Sequence, residues 1–173
     1  MAIKKIFTYP DPILRQKVET VTSFDDSLKQ LAGDLAETMY DAPGAGLAAN
    51  QIGVCLRVAV IDVSASKEEK KHLVLVNPEI IDKEGRQVDE EGCLSVIDLT
   101  ANVERYRKLR IRAQDLDGKT WEFPAEDFFA RVIQHELDHL NGILFIDHLS
   151  SLKRALYKKR LKKILREQEE GST

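Results

Sequence analysis

The chain has 173 residues, 43% hydrophobic and 32% charged, with a formal net charge of −3. That size and balance predict one globular domain with a real hydrophobic core rather than a disordered chain, and no apolar run is long enough to span a bilayer. The two cysteines, Cys55 and Cys93, are too few for a disulfide framework and suit a reducing compartment.

The first residues lack the apolar core and cleavage pattern of a signal peptide, so the sequence predicts a cytoplasmic protein. The charge is unevenly spread. Of 26 Lys/Arg, eight fall between Leu152 and Arg166, where there is no acidic residue; the rest holds 18 basic residues against 29 acidic ones. A basic C-terminal segment on an acidic body bears on the choice of partners.

In chain order, Tyr9-Pro10-Asp11-Pro12 is stiff and extended, because proline fixes its own φ and disfavours helix before it. Ser23 and Asp25 are plausible N-caps for a helix with apolar Leu28, Leu31, Ala32, Leu35 and Met39, ended by Asp41-Ala42-Pro43-Gly44. The stretch Gly44 to Gly53 begins like the dinucleotide fingerprint GxGxxA. That fingerprint needs a strand before it and a helix after it, and here the order is reversed. The glycines suggest a loop whose backbone comes close to something; the alternative, which the stretch taken alone favours, is a plain tight turn. Leu56 to Val63 reads as a buried strand, with Cys55 as core packing. A charged loop, Ser64 to Lys71, precedes a strand from Leu73 to Val76. Asn77-Pro78 interrupts it, Ile80-Ile81 resumes it and Asp82 to Gly85 is a turn. Gln87 to Glu90 leads into Glu91-Gly92-Cys93-Leu94-Ser95.

Val103 to Tyr106 reads as a short strand. Leu109, Ile111 and Ala113 alternate with arginines, and Thr120, Trp121 and Phe123 follow Asp117-Gly118, which is a hairpin signal. A second helix after Pro124 carries Phe128, Val132, His135 and His139 on one face, with Phe129, Ile133 and Leu140 beside it, and stops at Asn141-Gly142. A third starts near Ser150-Ser151. Tyr157, Leu161, Ile164 and Leu165 form its stripe, and Leu152 and Leu156 fall on a different face, which predicts a bend or two packing sites. The fold class expected is α+β: antiparallel sheets surrounding a central helix, with a helix before and a basic helix, residues 150–168, after.

Within the second helix, Gln134-His135-Glu136-Leu137-Asp138-His139 reads H-E-x-x-H. Positions four apart share a helix face, so His135 and His139 can hold one metal ion and Glu136 can reach a water on it. Two histidines do not complete a site. The pattern continues to Gly142 like a metzincin, but that family's third histidine falls at Phe145; a thermolysin-like glutamate is also missing, since the region holds Lys158 to Lys163. The other candidates are His72, His148, Cys55, Cys93 and the carboxylates. His72 and His148 read as solvated surface histidines. Cys93 lies between Gly92 and Leu94, where backbone can approach a centre closely, and a thiolate is a strong ligand for a borderline-soft divalent metal. On the residues alone, a metal site and a buried histidine pair satisfied by hydrogen bonds both remain open.

Three segments, Gly44-Ala45-Gly46-Leu47-Ala48-Ala49-Asn50-Gln51, Glu91-Gly92-Cys93-Leu94-Ser95 and Gln134 to His139, resemble the signature motifs of peptide deformylases and occur in that family's order. The Tyr9 to Pro12 start and the basic last helix are similar too. The resemblance implies removal of the N-formyl group from the initiator methionine of nascent polypeptides, with release of formate. It implies Cys93, His135 and His139 as metal ligands, Glu136 as acid/base, and Gln51 with the Leu94 N–H at the oxyanion. It implies Fe(II) as the metal, with zinc, nickel or cobalt as substitutes. Three positions depart from the family pattern: Ile97 where a proline is frequent, Thr100 where a basic residue is frequent, and a small Ala45. All three bear on substrate contacts.

Further expectations follow. Glu91 and Arg105 pair to brace the cysteine loop. The methionine side chain lies near Ala45, Gly46, Leu94, Phe128 and Val132, with Gly46 hydrogen-bonding an extended substrate. The basic helix contacts ribosomal RNA. The rival readings are another metallohydrolase, such as a peptidase, and a non-catalytic RNA-binding module with a structural metal.

Overall fold

The computed structural model describes residues 2–66 and 68–171. At its centre is a short strand, β2 (Val58–Asp62), caught between two helices, α1 (Asp26–Asp41) and α2 (Asp127–Leu140). Side chains alternate across a strand, so Val58 and Val60 face one way and Ala59 and Ile61 the other. Val58 and Val60 join Leu28, Leu31, Leu35 and Met39 of α1. Ile61 joins Ala130, Ile133 and Leu137 of α2, while Ala59 meets Leu140. All four strand residues are fully buried. Burying each Val or Ile contributes about 1.5–3 kcal/mol. This explains the unbroken apolar run that marked the strand in the sequence.

Around β2 the sheet is antiparallel, in the order β1 (Gly46–Ala48), β2, β3 (His72–Glu84), β6 (Lys108–Gln114), β7 (Thr120–Glu126). A separate two-stranded sheet pairs β4 (Gln87–Cys93) with β5 (Val96–Arg105). The last helix, α3 (Ser151–Gly171), packs Tyr157 and Leu161 into a third cluster with Val96, Val103 and Phe145. The α+β arrangement of antiparallel sheets about a central helix is as the sequence predicts. Among the described residues no helix is long and apolar enough to cross a membrane.

Four local expectations are corrected. Gly44 to Gly53 is not a plain loop: Gly46–Ala48 is an edge strand registered Gly46 to Ile61 and Ala48 to Ala59, followed by a 3-10 turn, Ala49–Ile52. Three residues are too few to show an alternation. Second, β3 runs through Asn77-Pro78 and on to Glu84, so the turn moves to Gly85-Arg86. Pro78 has no N–H to give, and the ladder shifts register between Val76 and Glu79. The Asn77 side chain takes up the slack by accepting from Val21 N at 2.8 Å and donating to Val21 O at 3.0 Å. Third, β4 and β5 are much longer than the one short strand expected. β4 is mostly exposed, but β5 alternates Ile97, Leu99, Ala101 and Val103 inward with exposed Asp98, Thr100, Asn102 and Glu104, a period-two pattern that was legible in the sequence. Fourth, Leu152 and Leu156 of α3 are 69% and 59% exposed, so the helix packs along one stripe only.

Candidate active site

His135 and His139 project from the buried face of α2 because they stand one turn apart, in line with Val132. The hairpin of β4 and β5 brings Cys93 to them. Cys93 Sγ is 3.2 Å from His139 Nε2, which is 3.2 Å from His135 Nε2. Sulfur and ring nitrogens all lie within 4.8 Å of one another. One thiolate and two imidazoles are a donor set suited to a divalent transition metal.

The surrounding charge suits a cation as well. His135 Nδ1 is 2.9 Å from Glu91 Oε1, which leaves Nε2 facing the cluster. Glu91 is held by Arg105 through two hydrogen bonds, of 2.8 and 2.9 Å, and by Arg131 at 2.5 Å. Burial pushes the Glu91 carboxyl up, but the hydrogen bonds from Arg105 and His135 outweigh it and hold the group well below the usual carboxylate range. Burial likewise pulls His135 down, yet its contacts with Cys93 and Glu91 drive it well above an ordinary histidine. Cys93 and Glu91 thus both favour positive charge at the His135 ring that lies between them. His139, buried beside His135, is pushed the other way and stays a neutral imidazole.

Glu136 lies beside this cluster. It is 3% exposed, and burial raises its carboxyl to about 7, with His135 pulling in the opposite sense. Its Oε2 has no hydrogen-bond partner, which fits a site for a water or a reacting group. Gly46 makes room for it. A Cβ there would stand 2.9 Å from both Cγ and Oε1 of Glu136, and 3.0 Å from Val132 Cγ1. The glycine read from sequence as a close backbone approach is thus one, and what approaches is Glu136.

Gln51 lies within the 3-10 turn after β1. Ala48 N donates to its Oε1 at 2.9 Å, which turns the amide NH2 toward Ser95 Oγ, 3.0 Å away, and Cys93 Sγ, 3.8 Å away. Ser95 N donates to Cys93 Sγ at 3.4 Å. A cavity of about 590 Å³ opens beside Cys93, Glu136 and Gln51, and Ala45, Gly46, Leu94, Phe128 and Val132 all line it. Asp98 and Thr100, within the stretch that departs from the family pattern, line it as well.

The structure thus gathers Cys93, His135, His139, Glu136, Gln51 and Leu94, and sets Glu91 against Arg105. It leaves out Cys55, which donates to Gln16 Oε1 at 3.3 Å. His72 is exposed beside Tyr40, as expected. His148 is not a free surface histidine: its Nε2 is 2.9 Å from Asp138 Oδ2. Arg131, Ser95 and Asp138 were not singled out from the sequence. The signal for Arg131 was its place one turn before His135 on a buried helix face, where an unpaired guanidinium would be costly.

The chain is similar to known proteins over nearly its whole length. The model of the family described as "Polypeptide deformylase" matches residues 3–155. A relative from Desulfotalea psychrophila, "Peptide deformylase", is 57% identical over 164 residues, 94% of this chain and 97% of its own length. One of the same name from Acidobacterium capsulatum is 49% identical over 166 residues, covering 96% and 98%. The crystal structure of a peptide deformylase from Legionella pneumophila superimposes with a TM-score of 0.89 at 47% identity, covering 96% of this chain and 98% of that one.

Proposed function

The chain belongs to the polypeptide deformylase family, and on that premise we propose how its own residues carry out the reaction. The family activity is metal-dependent removal of the N-formyl group from nascent polypeptides. Cys93, His135 and His139 hold the metal, and the observation that carries this is their convergence within 4.8 Å. A divalent metal bound there supplies Lewis acidity, which polarises a carbonyl and makes water a nucleophile near neutral pH. We infer Fe(II) as the resident metal, on the resemblance of the motifs; the same donors accept zinc, nickel or cobalt.

Glu136 moves the proton. A carboxyl raised to about 7 is matched to taking a proton from water at Oε2 and returning it to the departing amine. The Gln51 amide, fixed by Ala48, and the Leu94 N–H face the oxygen on which charge develops. Losing one such donor costs about 2.7–4 kcal/mol of barrier. Glu91, anchored by Arg105 and Arg131, fixes the His135 ring so that Nε2 points at the metal. The formylmethionine side chain occupies the cavity beside Val132, Leu94 and Phe128, and the Gly46 backbone, with Ala45, lies alongside an extended substrate.

These parts form a single catalytic domain spanning the chain, which works in the cytoplasm where nascent chains emerge. The substrate assay separates this reading from its rivals. Formyl-Met peptides should release formate, with acetyl-Met peptides and internal peptide bonds left intact. Cleavage of internal bonds would instead make the protein a peptidase, and no turnover with metal bound would favour a structural site.

The partner of α3 is ribosomal RNA. Lys153, Lys158, Lys159, Lys162, Lys163 and Arg166 are exposed on it, and phosphate contacts are their natural use. Tyr157 fixes the helix to the body by donating to Ile97 O at 2.7 Å. Co-sedimentation with ribosomes should weaken steeply as salt rises and when these lysines become glutamine. Co-sedimentation indifferent to both would remove the helix from the contact.

A further inference from the structure

Phe145–His148 is a four-residue 3-10 turn that follows α2, and it touches the metal helix twice. Its first residue, Phe145, is 1% exposed and stacks on the His135 ring, with centroids 6.1 Å apart and planes at 30°. Its last residue, His148, reaches Asp138. Asp147 pins the turn from within: it accepts from Leu144 N at 3.0 Å and pairs with Arg15 at 2.5 Å.

From Asp138 a chain of charge runs inward. Arg105 Nη1 donates to Asp138 Oδ2 at 2.6 Å, while Nε and Nη2 of the same guanidinium grip Glu91. Glu91 in turn holds His135 Nδ1. Asp138 only accepts, so His148 Nε2, 2.9 Å from its Oδ2, is the donor there; with its proton on Nε2 the ring cannot also accept from Arg105 Nη1, 3.4 Å away. Two donors meet at one carboxylate oxygen, and His148 must carry its proton on Nε2. Asp138 is 20% exposed and Arg105 4%. Asp138 therefore sits between a buried cation and the solvent, with His148, 39% exposed, closing the outer side.

We infer that His148 is a positioning residue for the metal centre: it holds Asp138 on Arg105 and so keeps Glu91 square on His135. The inference rests on the ligand set proposed above. Without the His148 donor, Asp138 is free to turn toward water, and Arg105 loses one of the two carboxylates that fix its plane. Glu91 then orients His135 less firmly, and metal held through His135 Nε2 is released more readily. His148 itself touches neither ligands nor cavity; its effect passes through three side chains.

The test uses the full chain loaded with cobalt, comparing His148→Leu, which removes the donor, with His148→Gln, which restores one. The visible absorption of bound cobalt reads the ligand field, and transfer to a chelator reads metal release. Expected for His148→Leu are an altered cobalt spectrum, release on the order of tenfold faster, and a lower kcat at unchanged KM; His148→Gln should recover part of each. A purely structural turn would lower the melting temperature in both variants and leave the spectrum and release rate at parent values, and that result overturns the inference. A parent protein that binds no cobalt overturns the metal centre along with it, which separates the two failures.

Discussion

Glu136→Ala should keep its metal and lose deformylation by about two to four orders of magnitude, the usual worth of a positioned acid/base. The metal is kept because the three converging donors are Cys93, His135 and His139, and Glu136 is not one of them. The fold is kept for a second reason. Glu136 is buried with an unpartnered oxygen, and its carboxyl is held near 7 by burial. Such a group is retained at a cost, so its removal leaves the melting temperature unchanged or raises it. Glu136→Gln keeps the shape beside Gly46 but not the proton, and it should be equally inactive. Metal content, melting temperature and formate release from a formyl-Met peptide give the three readings. Near-normal turnover in either variant would end the role assigned to Glu136.

Cys93→Ser should lose metal where Cys55→Ser does not. Replacing a side chain that only orients a ligand typically costs 10–100-fold in metal affinity, so removing the thiolate should cost more than about tenfold. The serine oxygen is protonated at neutral pH and too hard to replace it. Cys55 stands apart, bonded to Gln16, and is the control for handling and oxidation. Elemental content after equal dialysis reads the result. Metal lost from Cys55→Ser and kept by Cys93→Ser would remove Cys93 from the ligand set.

How much of this was legible in the sequence depended on what each residue signals locally. Buried elements were plain. α1 and α2 carry helical apolar stripes, and β2 is buried on both faces, so hydrophobic spacing reported them directly. β4 was missed because its side chains mostly face water, whereas β5 carried a legible alternation, Ile97, Leu99, Ala101 and Val103, of which only the Val103 end was read as a strand. Yet that pair delivers Cys93. The cysteine was nevertheless found as a candidate, because ligand chemistry does not depend on knowing the element that carries the ligand. The motif resemblance then supplied what spacing could not, namely that Gln51, more than forty residues from Cys93, points into the same space.

The ionic network around the ligands was half legible. Glu91 with Arg105 was expected. Arg131, Asp138 and His148 were not, because their meaning lies in distances that sequence does not carry: 2.5 Å from Arg131 to Glu91, 2.6 Å from Arg105 to Asp138 and 2.9 Å from Asp138 to His148. Phe145 shows the same limit from the other side. It failed as a third histidine ligand, and it stands in the fold against the ring of His135.

The claim on which the rest depends is a centre built from one thiolate and two imidazoles. X-ray absorption on zinc-loaded protein tests it most directly. The account predicts one metal per chain with a single sulfur at roughly 2.3 Å and two nitrogens at roughly 2.0–2.1 Å, leaving a position for water or substrate. A shell of nitrogen and oxygen alone, or one with two sulfurs, would contradict it.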